Sequence, residues 1–128
     1  QKGVKRVAMD DFGNNLKEIE SLCRQNGIEV LILTLPVASI KAHWGPGKTS
    51  VPHLLNQAYN NAIRQLAVAE NYRALDIAAL FYDRADLYDD AHNDYIHYNA
   101  RGHQLVARVI FDYITAAGFL SRTAYAGQ

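Results

Sequence analysis

Residues 89–107 join a polar loop to an amphipathic helix, and they read Asp-Asp-Ala-His-Asn-Asp-Tyr-Ile-His-Tyr-Asn-Ala-Arg-Gly-His-Gln-Leu-Val-Ala. Asn99 is a favourable N-cap residue, and Gly118 predicts where the helix ends. Between them, apolar residues recur at helical spacing: Leu105, Val106, Val109, Ile110, Tyr113 and Ile114. The stretch therefore predicts a loop rich in ionisable groups, held against the start of the last helix.

Two side chains of this loop have complementary chemistry. Asp94 lies three residues before His97, so its carboxylate can reach back to Nδ1 of the imidazole ring. Such a hydrogen bond fixes the tautomer, leaves Nε2 free to accept a proton, and stabilises the imidazolium that results. These are two of the three parts of a hydrolytic triad, and the nucleophile is the third.

The first third of the chain predicts a helix followed by a buried strand. Asp10 or Asp11 can cap the helix, and Asn26 and Gly27 provide a C-terminal stop. One helix face is apolar and contains Phe12, Leu16, Ile19, Leu22 and Cys23. Residues 28–36 are almost continuously apolar, which is typical of a strand covered on both faces in a parallel sheet.

The middle of the chain repeats this alternation. Pro52 suits the first turn of a second helix. Its predicted buried face consists of Leu55, Ala58, Tyr59, Ala62, Ile63, Leu66 and Ala67. Residues 72–77 predict a second strand, and an aspartate-rich connection over residues 78–94 leads to the last helix. The order helix, strand, helix, strand, helix predicts an α/β fold with parallel strands and three long helices.

Two strands are too few for a stable parallel sheet. A strand as apolar as residues 30–35 requires neighbours on its edges as well as cover on its faces. We therefore expect residues 1–128 to be the C-terminal part of a single domain, with irregular tails over residues 1–9 and 121–128. The other strands would come from an N-terminal half, a companion fragment or a second copy of the chain.

At this point the chain resembles the C-terminal half of an SGNH (GDSL-type) serine hydrolase. Asp94-Tyr95-Ile96-His97 resembles the Asp-x-x-His block of that family, and Asn99 and Gly102 follow at the expected places before the terminal helix. The resemblance implies a three-layer, flavodoxin-like fold that hydrolyses esters with a Ser-His-Asp triad. It assigns His97 as the general base and Asp94 as the carboxylate that orients it.

The chain also departs from the family pattern. The family carries its nucleophile in a Gly-Asp-Ser motif and an oxyanion-hole asparagine in a Gly-x-Asn-Asp motif, and neither motif occurs here. The four serines have no such context: Ser21, Ser39, Ser50 and Ser121. Gly13-Asn14-Asn15 superficially resembles the asparagine block, but it falls inside a predicted helix. The resemblance thus implies that this chain supplies the base and its carboxylate and is inactive alone.

Several alternatives remain open at the level of sequence. The Asp94 and His97 pair could be structural, in a non-catalytic α/β half-domain that assembles with itself or with a partner. Trp44, in a Gly/Pro-containing loop, could wall a substrate pocket or cover the core. Asp76 could line a site at the end of a strand, although bracing a loop fits it better. His103, on the last helix, fits a packing role.

Composition excludes several classes of function. The 128 residues carry 13 basic and 13 acidic side chains, which gives no electrostatic footprint for nucleic acid. No apolar run approaches the roughly 20 residues that span a bilayer. The spacing of histidines and aspartates around residue 94 does not favour a metal site, and we expect no cofactor. The expected substrate is a small-molecule, lipid or sugar ester, and the sequence assigns no compartment.

Overall fold

The computed structural model describes residues 7–39 and 50–119 of the chain. The three long helices are α1, α2 and α4, at Met9–Gln25, Val51–Ala69 and Ala100–Ala116. The strands β1 and β2 lie at Ile32–Leu33 and Ala74–Leu75. A four-residue helix α3, Ile77–Leu80, and a 3₁₀ turn, Ala85–Leu87, complete the elements. Within these residues the predicted α/β fold with three long helices is confirmed.

The two strands are parallel neighbours, as predicted. Ile32 lies opposite Ala74 and Leu33 opposite Leu75. The Ile32 N–H donates to the Arg73 carbonyl at 2.9 Å, and the Thr34 N–H donates to the Leu75 carbonyl at 3.1 Å. These hydrogen bonds bring the carboxyl ends of both strands, and the loops that follow them, to one side of the molecule.

β1 is shorter than the predicted strand over residues 28–36. Directly after it, the side chain of Asn60 takes the place of a neighbouring strand. Its Oδ1 accepts from the Leu35 N–H and its Nδ2 donates to the Leu35 carbonyl, both at 2.9 Å. Regular strand geometry therefore ends before Leu35, since a side chain and not a strand pairs with its backbone.

Helix α1 forms where predicted, but its cap and its burial differ from the prediction. Ala8 occupies the N-cap position without a side-chain hydrogen bond, so the expectation of an aspartate cap was wrong. Asp10 and Asp11 lie in the first turn, where the helix dipole favours negative charge. No residue of α1 is buried, and Ile19 and Leu22 are each 52% exposed. The apolar face predicted for this helix is present but lacks full cover.

Helix α2 begins with Pro52 in its first turn, as predicted. Its most buried residues are His53, Asn60 and Ile63, of which only Ile63 belongs to the predicted apolar face. The other predicted residues of that face are half-buried. Polar side chains therefore occupy two of the three best-covered positions of α2.

The hydrophobic core lies between the strand ends, the loop over residues 81–98 and α4. Its buried members are Ala38, Ile77, Phe81, Leu87 and Tyr88. One face of α4 packs against them through Leu105, Val106 and Val109, all of which belong to the predicted apolar face. Gly102 is buried at the point where α4 approaches Tyr98 most closely. This packing fixes the start of α4 beneath the loop that carries Asp94 and His97.

Among the described helices, none is both long and apolar enough to cross a membrane.

Candidate active site

The structure brings Asp94 and His97 into direct contact. Nδ1 of the His97 ring lies 3.0 Å from both Oδ1 and Oδ2 of Asp94. The His97 side chain is 82% exposed and the Asp94 side chain 50% exposed. Asp94 is the ring's only hydrogen-bond partner among the residues that the structure describes. Because a carboxylate can only accept, Nδ1 carries a proton, and in the neutral ring Nε2 presents its lone pair to solvent.

Asp94 also organises the backbone of its own turn. Its Oδ1 accepts from the His97 N–H at 3.0 Å and from the Ile96 N–H at 3.3 Å. The His97 backbone N–H, followed by the His97 ring, lowers the pKa of the Asp94 carboxyl below its ordinary value. The carboxylate is therefore ionised at neutral pH, as it must be to orient an imidazole and stabilise its protonated form.

Asn99 anchors the turn on its C-terminal side. Its Oδ1 accepts from the backbone N–H groups of Arg101 and Gly102, which caps α4 as predicted. Its Nδ2 donates to the Asp86 carbonyl at 3.0 Å, and its own N–H donates to the Leu87 carbonyl at 2.8 Å. One side chain thus joins the helix start, the 3₁₀ turn and the segment that carries His97.

A second anchor holds the N-terminal side of the turn. The Ala38 N–H, in the loop after β1, donates to the Tyr95 carbonyl at 2.8 Å. His53 Nε2 bonds to the Ala38 carbonyl at 2.8 Å, and the His53 ring stacks on Tyr95 with 4.8 Å between centroids. Sequence reasoning missed His53; its position seven residues before Asn60, on one face of α2, is the signal that could have found it.

Asp76 braces the strands and takes no part in the Asp94–His97 pair. Its carboxylate accepts from Arg64 Nε at 2.8 Å and from the Thr34 hydroxyl at 2.8 Å. Hydrogen bonding by Arg64, supported by Thr34, lowers the pKa of the Asp76 carboxyl. The Thr34 hydroxyl in turn accepts from the Ala78 N–H, so these groups tie the end of β1 to the start of α3. Asp76 therefore has the bracing role that the sequence favoured.

The remaining candidates lie apart from the pair. The His103 ring packs on Tyr98, with centroids 4.5 Å apart. Trp44, predicted as a substrate-pocket residue, lies outside the described residues, so its assignment stays a prediction. Over residues 7–39 and 50–119, no group of three histidine, cysteine or acidic side chains is arranged to hold a metal ion.

The described serines form hydrogen bonds with other side chains or are buried. The Ser21 hydroxyl accepts from Gln25 within α1, at 3.2 Å. The Ser39 hydroxyl donates to Asp83 at 3.3 Å, and Ser50 is buried directly before α2. Ser121 lies outside the described residues. In the described part of the chain, no serine hydroxyl forms a hydrogen bond with His97.

The structure thus combines an α/β fold with an exposed histidine that contacts an aspartate in front of a capped helix. The GDSL-like lipase/acylhydrolase family model matches residues 4–105, and the chain belongs to that family. The matched range includes Asp94, His97 and Asn99, and the match confirms the family that the sequence predicted. A search of curated proteins gave no match to this chain.

Proposed function

We propose that His97 is the general base of a serine ester hydrolase and that Asp94 is the carboxylate that orients it. The observation that carries this proposal is the contact of His97 Nδ1 with both Asp94 oxygens, at 3.0 Å, on a ring that is 82% exposed. A structural histidine is normally packed, whereas this ring is held from one side and left accessible at Nε2.

The geometry supports a two-step acyl transfer. Nε2 of His97 takes the proton of a serine hydroxyl while the serine oxygen attacks the ester carbonyl. The imidazolium, stabilised by ionised Asp94, then gives that proton to the departing alkoxide and leaves an acyl-enzyme. In the second step Nε2 removes a proton from water and the resulting hydroxide attacks the acyl carbon. The imidazolium then returns that proton to the departing serine oxygen, which releases the acid and restores both serine and base. Each proton moves through the nitrogen that faces solvent.

We place the nucleophile and the oxyanion hole outside this chain. The family resemblance calls for a serine in a Gly-Asp-Ser motif and an asparagine in a Gly-x-Asn-Asp motif, and this sequence has neither. The hydrogen bonds of Ser21 and Ser39 to other side chains support the same assignment. The chain by itself is then inactive, because the nucleophile and the oxyanion donors are both required.

We further propose that residues 1–128 form the C-terminal part of one hydrolase domain, completed by its N-terminal half. Within the described residues β1 has one neighbouring strand, and Leu35, just beyond it, is 55% exposed. An apolar groove of about 520 Å³ lies between α1, α2, the end of β1 and the loop before His97. Its apolar lining includes Val7, Phe12, Leu35, Val37, Tyr59 and Ile96. Strands from the N-terminal half would cover this groove and the exposed face of α1.

A second candidate function rests on the same exposed faces. In this alternative, the chain is a non-catalytic half-domain that assembles with itself or with a partner, and the Asp94–His97 pair is structural. A second copy of the chain would then cover the groove in place of an N-terminal half. The two candidates differ in whether a serine in the assembled protein reacts as a nucleophile.

A fluorophosphonate probe, which modifies activated serines, separates the two candidates. Native material is treated with the probe and measured by intact-mass spectrometry and peptide mapping. We expect the adduct on a serine of the N-terminal half and none on the 14.3 kDa chain. An adduct on Ser21, Ser39, Ser50 or Ser121 would contradict the placement of the nucleophile. Material without any adduct would favour the non-catalytic assembly. The substrate, expected to be a small-molecule, lipid or sugar ester, is then found by testing esters of each class.

A further inference from the structure

The buried imidazole of His53 lies one contact away from the turn that carries the proposed catalytic pair. His53 is 2% exposed, although it lies in the first turn of α2 and not within the loop. A buried polar ring requires partners. Two of the contacts of His53 connect it to the turn that carries Asp94 and His97. One is the Ala38 carbonyl, 2.8 Å from Nε2, and the other is the ring of Tyr95.

The hydrogen bond to Ala38 fixes the tautomer of His53. A carbonyl oxygen can only accept, so Nε2 of His53 carries the proton and donates. Ala38 is itself buried, and its N–H donates to the Tyr95 carbonyl at 2.8 Å. The peptide units on the two sides of Ala38 therefore connect His53 to the residue that directly follows Asp94.

The stacking contact acts on the same residue from its side chain. The rings of His53 and Tyr95 are 4.8 Å apart, with 27° between their planes. Tyr95 is thus restrained twice, at its carbonyl through Ala38 and at its ring by stacking. Asn99 restrains the other end of the turn. Asp94 and His97, both largely exposed, gain a fixed geometry from contacts made by their neighbours.

We infer that His53 is a positioning residue for the Asp94–His97 pair, which it holds in register through the hydrogen bond from Nε2 to Ala38 and the stack on Tyr95. The inference rests on the proposed function, since it makes His53 a positioning residue for His97, which is the base in that mechanism. A positioning role predicts more than a contribution to stability. Loss of the His53 donor should change the tautomer of the His97 ring. Loss of a residue that contributes only to stability should leave that tautomer unchanged.

Nitrogen-15 NMR of the histidine rings in the full chain provides the readout, because protonated and unprotonated ring nitrogens have different chemical shifts. Spectra are recorded at about pH 8.5, above the ordinary imidazole pKa, so that tautomers are compared. In the wild type we expect His97 as the Nδ1–H tautomer. The tautomer mixture of a short histidine-containing peptide in solution provides the reference for an unrestrained ring.

Two substitutions separate the donor from the bulk of the ring. His53→Phe keeps an aromatic ring over Tyr95 but has no donor, and we expect His97 to shift to the tautomer mixture of the reference peptide. His53→Gln restores an N–H near the position of Nε2, and we expect it to retain the Nδ1–H form of His97. Retention of that form in His53→Phe would overturn the inference, and so would its loss in both variants.

Two further measurements complete the test. If His53→Phe does not fold, the wild-type spectrum decides, because the inference requires His53 itself as the Nε2–H tautomer and an Nδ1–H ring would overturn it. Asp94→Asn tests the underlying proposal separately. If that variant leaves the His97 tautomer unchanged, the catalytic pair itself is wrong, whereas a failure confined to the His53 variants removes only the positioning role.

Discussion

Asp94 holds His97 at two places at once, through the ring Nδ1 and through the backbone N–H, with 3.0 Å at each contact. The carboxylate therefore fixes the backbone that carries the imidazole as well as the imidazole itself. The two residues of this unit are close in sequence, since the histidine follows the aspartate by three residues. Its orientation relative to the rest of the protein depends on Asn99 and on Ala38, which come from other parts of the chain.

Replacing Asp94 by asparagine tests the orienting role. The amide keeps an acceptor for the backbone N–H groups but can donate to Nδ1, which favours the wrong tautomer. We expect kcat to fall on the order of 10³–10⁴-fold in the complete hydrolase domain, with little change in Tm. Asp90→Asn is the matched control, because Asp90 also accepts from backbone N–H groups in this loop but bonds to Asn93 and not to His97. Equal losses of kcat in both variants would contradict the assignment.

Asn99 should be important for stability as well as for position. Asn99→Ala removes the cap of α4 and the bond to the Asp86 carbonyl, so we expect a loss of about 1–2 kcal/mol in the free energy of unfolding. Asn99→Ser keeps a capping oxygen and should lose less. Urea unfolding of the two variants measures the difference, and indistinguishable midpoints would argue against the cap.

Two glycines within helices predict opposite effects of the same substitution. A Cβ at Gly102 would lie 2.7 Å from the Tyr98 Cβ and 2.9 Å from the Leu87 carbonyl oxygen, so Gly102→Ala forces backbone to move. We expect it to destabilise the protein by roughly 1–3 kcal/mol, despite the better helix propensity of alanine.

Among the described residues, a Cβ at Gly13 would meet only Leu66 Cδ1, at an ordinary 3.5 Å. Gly13→Ala should therefore stabilise α1 by about 0.5–1 kcal/mol. Urea unfolding of both variants under the same conditions gives the comparison. A stable Gly102→Ala protein would show that α4 does not pack as closely on Tyr98 as described.

Asp76 predicts part of the stability lost in acid. Because its pKa is lower in the folded protein than in the unfolded chain, the unfolded state binds protons first. The resulting stability is complete above the ordinary carboxyl pKa of about 4 and is lost as the pH falls through the folded value. Asp76→Asn should flatten the dependence of the unfolding free energy on pH below about 4. Asp112→Asn, at an exposed carboxyl of α4, should follow the wild type. An unchanged acid limb in Asp76→Asn would contradict the role of the Arg64 contact.

The sequence predicted those parts of the site whose causes are local. The cap at Asn99 needs only the residues that follow it, and the Asp94–His97 contact spans three residues. The amphipathic pattern likewise placed α4 and its packed face, including Leu105 and Val109. For the cap and the Asp94–His97 contact the partner lies within one helical turn, and for α4 the period of the apolar residues alone identifies the packed face.

The features that the sequence did not predict depend on distant backbone. His53 binds a carbonyl 15 residues away, and Asn60 binds a backbone unit 25 residues away. Because every residue type presents these backbone groups, the sequence does not identify the partners. Asn60 also shortens β1, which the run of apolar residues could not show. Ile19 and Leu22 are incompletely buried because the rest of the described chain does not fully cover the apolar face of α1. The sequence pattern of one helix does not show how much surface its neighbours provide.

The most direct test of the account is ester hydrolysis by the complete hydrolase domain carrying His97→Ala. A general base that acts on both the serine and the water should cost at least about 1,000-fold in kcat/KM when it is removed. His92→Ala, which removes an exposed imidazole from the same loop, should stay near the wild-type value. A loss of only a fewfold in His97→Ala, or an equal loss in His92→Ala, would contradict the assignment of His97 as the base.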